Sequence, residues 1–236
     1  MPELDEIIES DWDFDAYFDA WIVQMSVNVN PLALGFEQNI FLSTGDIISH
    51  LDWIVPLGAD IRYKRFGFLP NVTGLKISGD GETPGALFSD LEVGMTMWVV
   101  NLPVYYRVID QPGLSVDLLA GARLLSVDMD LELTGGPVGV NRGRRSTNVG
   151  TDNWDAVAGL RIEGDLTDRL YYSIYGDVGA GDSDLTWQVL AGFGYQVTPK
   201  LTALLGYRYL YYEGGDELKA IDITGSGPQL SLKWDF

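Results

Sequence analysis

The sequence predicts an all-β chain, a closed antiparallel transmembrane β-barrel of about ten strands, with short turns at one end and longer loops at the other. Three observations carry this. Apolar and polar residues alternate with period two from about Trp53 to the end, the signature of a strand with one apolar face. The links between these runs alternate short and long. The polar face consists of Gly, Ser, Thr, Gln and sparse Arg and Asp rather than the Lys and Glu of a water-washed sheet. Eight or twelve strands are the alternatives.

Strands are expected to begin near Phe14, Trp53, Phe66, Asp90, Leu114, Trp154, Leu170, Leu185, Leu201 and Lys219. In the run from Trp154, the apolar face is Trp154, Ala156, Ala158, Leu160 and Ile162, and the other face is Asp155, Gly159, Arg161 and Glu163. Short turns are predicted at Tyr63–Phe66, Asp110–Gly113, Asp165–Asp168 and Thr198–Lys200, where Gly, Pro and Asp punctuate the pattern. Longer links are predicted at Asn30–Asp52, Gly79–Ser89, Gly135–Asn153, Gly179–Asp184 and Glu213–Leu218. Helix is expected only at Thr44–Leu51, with Asp46 as a cap, and at Glu3–Ile8. Two places read as β-bulges: Asn101–Pro103, where the apolar parity of Val93, Met95, Met97 and Val99 shifts, and Gly225–Pro228, between Ile221/Ile223 and Leu230/Leu232. An acidic segment, 1–12, precedes a single barrel domain, 13–236.

Composition removes many functions. The 236 residues carry 15 basic and 34 acidic side chains, a formal charge of −19, which repels a phosphate backbone; nucleic acid is not a partner. No cysteine and one histidine, His50, exclude disulfides, thiolate zinc and multi-histidine metal centres. No cofactor is expected. Met1–Ser10 has neither a basic n-region nor an apolar core, so the chain reads as a mature form without its signal peptide.

Leu230, Leu232, Trp234 and Phe236, alternating with Ser231, Lys233 and Asp235, resemble the last strand of bacterial outer-membrane proteins. WDAVAGLR, YGDVGAGDSDLTWQVLAGFGYQV and LLGYRYLYYE are similar to a family of small, largely uncharacterised outer-membrane β-barrels of Gram-negative bacteria. The resemblance implies short periplasmic turns, external loops, the bacterial outer membrane as location, and Leu232, Trp234 and Phe236 as the signal read by the barrel-insertion machinery. It implies no catalytic residue.

Candidate sites follow from the alternation. Asp117, Arg123, Asp155, Arg161, Glu163, Asp177 and Arg208 share the polar face and are expected to form a lumen charge network, since a lone charge in a narrow interior is costly. Trp154, Tyr172, Trp187, Tyr195, Tyr207, Tyr209 and Tyr211 form the aromatic girdle. Arg142, Arg144 and Arg145 could meet lipopolysaccharide phosphates bidentately, although a solvated loop is the plainer reading. Asp177, Asp182 and Asp184 are oxygen donors of the kind Ca²⁺ takes, but they are also what a turn needs. No metal site is assigned. His50 beside Ser49 and Ser43 falls short of a triad, because adjacency in sequence is not geometry. Asn71–Thr73 matches a glycosylation sequon inside an expected strand and is discounted.

The expected function is a non-enzymatic outer-membrane barrel, structural or narrowly porin-like, with lipids and lipopolysaccharide as partners. The alternatives are an outer-membrane lipid-modifying enzyme and a soluble lipocalin-like barrel with its apolar face turned inward.

Overall fold

The computed structural model describes residues 11–29, 38–81, 90–134, 144–215 and 221–236. Its strands are β1 (Trp12–Trp21), β2 (Gln24–Val29), β3 (Gln38–Leu42), β4 (Leu51–Tyr63), β5 (Phe66–Phe68), β6 (Asn71–Gly81), β7 (Asp90–Gln111), β8 (Leu114–Thr134), β9 (Arg144–Asp165), β10 (Leu170–Gly181), β11 (Ser183–Thr198), β12 (Leu201–Gly214) and β13 (Ile221–Asp235), with helix α1 (Thr44–Ser49) before β4. Pairing is antiparallel throughout, and β1 pairs with β13, so the sheet closes on itself.

Three pairs of segments are single strands with a break. β1 and β2 lie against β13 in one continuous register, from Asp15 opposite Asp235 to Val29 opposite Ile221. The break falls at Ile22 and Val23, opposite Pro228, which has no N–H to give; Ile22 N instead donates to the Pro228 carbonyl at 2.9 Å. β5 and β6 likewise keep one register and break at Leu69–Pro70. β3 and β4 are separated by α1. Extending the β1–β4 register would set Met25 opposite His50, whereas Leu42 stands there; the intervening stretch is the helix. Joined in this way, the segments make a closed ten-stranded barrel.

The barrel's polarity answers the question of which face is wet. Leu118, Leu160, Val178, Phe193, Tyr195 and Leu205 are exposed on the outside, while Asp117, Asp155, Arg161, Asp177, Gln188 and Arg208 are buried inside. A water-soluble barrel has the opposite arrangement, so the lipocalin-like alternative falls and the apolar exterior is a lipid-facing band. On β8 the band runs from Leu114 through Val116, Leu118, Ala120 and Ala122 to Leu124. That is about 33 Å of strand, and at a tilt of ~40° about 25 Å of height, the thickness such bands have.

Above Leu124 the polarity inverts. The next outward residues are Ser126, Asp128 and Asp130, and the inward ones are Leu125 and Val127. Other strands do the same at their loop ends: Met95, Met97 and Val99 turn inward on β7 with Thr96 outward, and Met25 and Val27 turn inward on β2 with Gln24 and Ser26 outward. These inward side chains join Trp21, Val23, Leu75, Leu210, Tyr212, Ile223 and Ile47 of α1 in one buried apolar cluster. β7 and β9, of 22 residues each, are about 70 Å long. They therefore span the membrane and continue beyond it as the wall of a small water-facing barrel with an apolar core.

The inversion corrects both expected bulges. Pairing is in unbroken register across Asn101–Pro103 and across Gly225–Pro228; what changes there is the surroundings, so the apolar side chain moves to the opposite parity. The irregularity in β7 lies instead at Arg107–Ile109. The same effect hid the true lengths of β8 and β9: above the membrane their outward residues are polar, and 144–153 reads as loop although it is strand. Gly179–Asp184 is not a long link, since Asp182 alone separates β10 from β11. Ser43, rather than Asp46, caps α1; Asp46 is the return arm of a capping box. β1 begins at Trp12, one residue before the expected domain boundary. The expected helix at Glu3–Ile8 lies outside the described residues.

Of the predicted girdle, Trp154, Tyr195 and Tyr207 are exposed on the outside, while Tyr172, Trp187, Tyr209 and Tyr211 are half-buried there, with Trp187 stacked on Tyr209 at 4.9 Å. Trp53 and Trp98, 5.1 Å apart, extend this ring on the loop side. Trp12 with Tyr63 and Phe66 with Tyr106 do so on the turn side. At the chain end, Leu232 and Trp234 face outward, and Phe236 packs on Phe14 of β1 at 5.4 Å.

The boundary is testable with one residue type at two heights. Ala158→Arg, in mid-band, is expected to destabilise the folded protein by about 2–4 kcal/mol, and Ser126→Arg, above it, by about 0–1 kcal/mol. Urea titration of folding into lipid vesicles measures both.

Candidate functional site: the barrel interior

In the membrane-spanning part the inward positions carry charge, and the strand register sets which charges meet. Asp117 on β8 stands opposite Arg107 on β7 and Arg161 on β9. Arg107 Nε donates to Asp117 at 2.8 Å, and Arg161 Nη2 donates to the same carboxylate at 2.8 Å. Arg161 Nη1 reaches across to Asp60 of β4 at 2.7 Å, and Asp60 also accepts from the Tyr105 hydroxyl at 2.7 Å. The Arg161 guanidinium lies 4.7 Å from the Tyr105 ring centre. That ring covers Gly67, where any Cβ would run into it; only glycine lets the tyrosine cross the wall there.

Nearer the loops is a second layer centred on Arg123, which is 1% exposed. It donates to both oxygens of Asp177 at 2.6 and 2.7 Å, to Asn101 at 2.8 Å and to the Thr186 hydroxyl at 2.8 Å. Asp177 also accepts from Tyr175 at 2.6 Å and Gln188 at 2.8 Å. Gln188 accepts from Arg208 at 2.8 Å, and Arg208 lies over the Trp21 ring at 4.7 Å. Arg123, Arg161, Asp60, Asp117 and Asp177 are thus each held by two or more partners, the condition under which a buried ion pair is tolerable.

The seven predicted network residues therefore divide. Arg123, Asp177 and Arg208 share the upper layer, and Asp117 and Arg161 share the lower. Asp155 lies opposite Arg123 in register but accepts from the Ser183 amide at 2.9 Å, its other oxygen buried without a partner. Glu163, half-buried, accepts from Ser173 at 3.3 Å. Sequence reasoning missed Asp60, Arg107, Asn101, Thr186 and Gln188 as members. Asn101 was legible only as a parity fault, and Asp60 only by extending the inward parity of β4 upstream of Arg62.

The remaining candidates do not converge. Asp177 is taken by Arg123, and Asp182 accepts from the Trp154 amide at 2.8 Å, so Asp177, Asp182 and Asp184 face different neighbours and form no calcium cage. His50 closes α1, with Nδ1 2.9 Å from the Asp46 carbonyl and 3.0 Å from Ser49 Oγ. That hydroxyl donates to the same carbonyl at 3.0 Å. Ser43 Oγ donates to the Asp46 carboxylate at 2.6 Å, and among the described residues the imidazole has no carboxylate as a hydrogen-bond partner. Arg144 and Arg145 stand in β9 opposite Thr134 and Leu133, not in a loop; Arg142 lies outside the described residues. Asn71 of the sequon is in β6 and donates to Asp19 at 2.8 Å.

Set against solved structures, the barrel aligns with the outer membrane protease OmpT from Escherichia coli at a TM-score of 0.51 and 10% identity, covering 95% of this chain and 96% of that one. The chain has the fold of outer-membrane β-barrels. It also aligns with the translocator domain of the autotransporter NalP from Neisseria meningitidis (12% identity, 98% and 90% covered, TM-score 0.45). A further alignment is with the attachment invasion locus protein Ail of Yersinia pestis (11% identity, 95% and 97% covered, TM-score 0.40). No family model and no curated protein sequence matches the chain.

Arg123→Met leaves Asp177 buried without its counter-charge and is expected to destabilise the barrel by about 3–5 kcal/mol. Adding Asp177→Asn should recover part of the loss, read by the same urea titration. At the helix cap, the Ser43 hydroxyl and amide hold the Asp46 carboxyl below the usual carboxylate range. Its stabilising contribution is therefore present above ~3.9, the ordinary value, and disappears as pH falls through the lowered one. Ser43→Ala should bring the Asp46 pKa back toward ~3.9, as followed by carboxyl-carbon NMR.

Proposed function

We propose that this protein is a non-enzymatic structural barrel of the bacterial outer membrane whose lumen is shut, and whose wall carries its long strands beyond the lipid. The observation that supports this reading is the block on the loop side of the interior, the Arg123 layer with an apolar cluster above it; below that block the lumen keeps a cavity of about 130 Å³ lined by Tyr17, Asp19, Arg161, Glu163 and Ser231. Water and ions moving through would have to displace Arg123 from several hydrogen bonds and then cross a dry apolar core, a barrier without compensation. That weighs against the narrow porin-like role. The engagement of His50 Nδ1 with the Asp46 carbonyl and Ser49 at the end of α1 favours a helix-capping role over a catalytic one.

In this reading the outer leaflet is the environment of the band's upper edge, and the backbone of β9 at 144–145 continues past it, on the side where lipopolysaccharide phosphates lie. Leu232, Trp234 and Phe236 serve as the strand offered to the barrel-insertion machinery. Their outward placement on the closing strand supports that role.

Planar-bilayer recording on the refolded protein tests the shut lumen. Flat current traces at moderate voltage are expected, and regular ohmic steps would refute it. Purified protein should leave phospholipid and lipid A intact over hours; turnover abolished by His50→Ala would return the enzyme reading.

A further inference from the structure

Among the described residues, the barrel wall has one seam within the membrane. β1 and β4 pair from Trp12 opposite Tyr63 up to Phe18 opposite Leu57, and there the pairing stops. Both strands continue: β1 to Trp21, still paired with β13, and β4 back to Leu51, still paired with β6. Pro56, at the first unpaired position of β4, has no N–H to offer β1. Above it, β3 pairs with β2 alone among the described strands, and α1 is tied to β2 by the Thr44 hydroxyl on the Val23 carbonyl at 3.2 Å.

The seam sits at the height of lipid. Outward residues along its two sides are Phe18, Ala20 and Ile22 on β1 and its break, and Leu57, Val55 and Trp53 on β4. Trp53 is part of the loop-side girdle. The flanking apolar side chains are open: Leu57 is 54% exposed, Ile22 45% and Ile48 of α1 63%. One residue shows that the opening goes through the wall. Ile54 stands opposite Leu75, which is inside and 2% exposed, so Ile54 points inward too, yet it is 39% exposed. An inward side chain beside a packed core stays exposed only where the wall next to it is open.

We infer that this seam is a lateral portal that admits an acyl chain of a surrounding bilayer lipid to the inner face of the barrel at Ile54. The chemistry is that of the slot itself: aliphatic walls from Ile22, Ile48, Ile54 and Leu57, continuous with the lipid-facing band. A chain lying there covers Ile54 and its aliphatic neighbours, at about 25 cal/mol per Å² of apolar surface. The unpaired backbone groups of the edge, fewer by the N–H that Pro56 lacks, cannot be served by hydrocarbon and are left to water at the rim of the opening. The portal stands beside the interior and not along its axis, so it is compatible with a lumen shut to ions.

The native chain has no cysteine, so single thiol labels report unambiguously. Bimane is placed at Ile54→Cys, at Leu57→Cys as an outward reference, and at Ser173→Cys as an inward reference on β10. Each protein is refolded into phosphatidylcholine vesicles brominated on the acyl chains, and folding is verified by heat-modifiable gel mobility. Quenching at position 54 is expected to reach at least half that at 57, with position 173 unquenched. Quenching at 54 no greater than at 173 would overturn the portal. Pro56→Cys, inward at the lower end of the seam, replaces Ile54→Cys should the latter not fold. A second arm uses double cysteines: Phe18→Cys/Leu57→Cys, across the last paired position, should oxidise to a disulfide. Ala20→Cys/Val55→Cys, which the same register would align, should not, because thiols on separated strands cannot reach bonding geometry. Equal oxidation of both pairs would mean that the wall is closed and the inference wrong.

Discussion

Hydrocarbon gives a peptide group nothing to bond to, and everything in this chain depends on meeting that constraint. A helix meets it within itself; a sheet meets it only by closing. Here the closing contact is β1 on β13, joining residues as far apart in sequence as Asp15 and Asp235. The same demand explains how breaks are tolerated. At Ile22 and at Leu69 the ladder is interrupted by proline, and the freed amides still find carbonyls, Ile22 on Pro228 at 2.9 Å and Leu69 on Pro103 at 2.9 Å. Where the wall does not zip, above Phe18 and Leu57, the exposed side chains are those that lipid itself can cover.

A second constraint follows from the first. The strands outlast the membrane, so one sheet serves two solvents, and the rule for its faces reverses at the boundary. Within the band the interior is the only refuge for charge, and Arg123, Arg161 and their aspartates fill it. Beyond the band the exterior is water, so Asp128, Asp130 and Asp152 turn outward and methionines and valines take the interior. Trp53, Trp98, Trp154 and Trp187 lie near the crossover, where an amphipathic ring suits both sides.

Alternation reads clearly where both faces keep one environment, as along Val116–Leu124, Trp154–Ile162 and Leu201–Tyr209. It fails at the reversal, because a period-two pattern that changes phase looks the same whether a residue has been inserted or the solvent has changed. Asn101 and Gly225 were misread for that reason, and the upper part of β9 was lost among polar residues. The charges were legible as a set by parity, but their grouping was not: Arg161 with Asp60 and Arg123 with Thr186 are contacts across the barrel, and no spacing along one strand encodes them. Asp155 shows the converse, an inward carboxylate opposite an arginine that bonds a backbone amide instead.

The pairing of the first strand with the last also has a kinetic meaning. Each hairpin from β7 to β13 can form from neighbours in sequence, but β1 has its final partner only when the end of the chain is present. Loop-closure entropy for that contact is set by nearly the whole polypeptide. Until it forms, the sheet carries two open edges of the kind that recruit other chains. A chain stopped short of Gln229 would thus be more than a smaller barrel: it would be an unfinished edge seeking a partner, and its fate would be decided by whatever strand it met first.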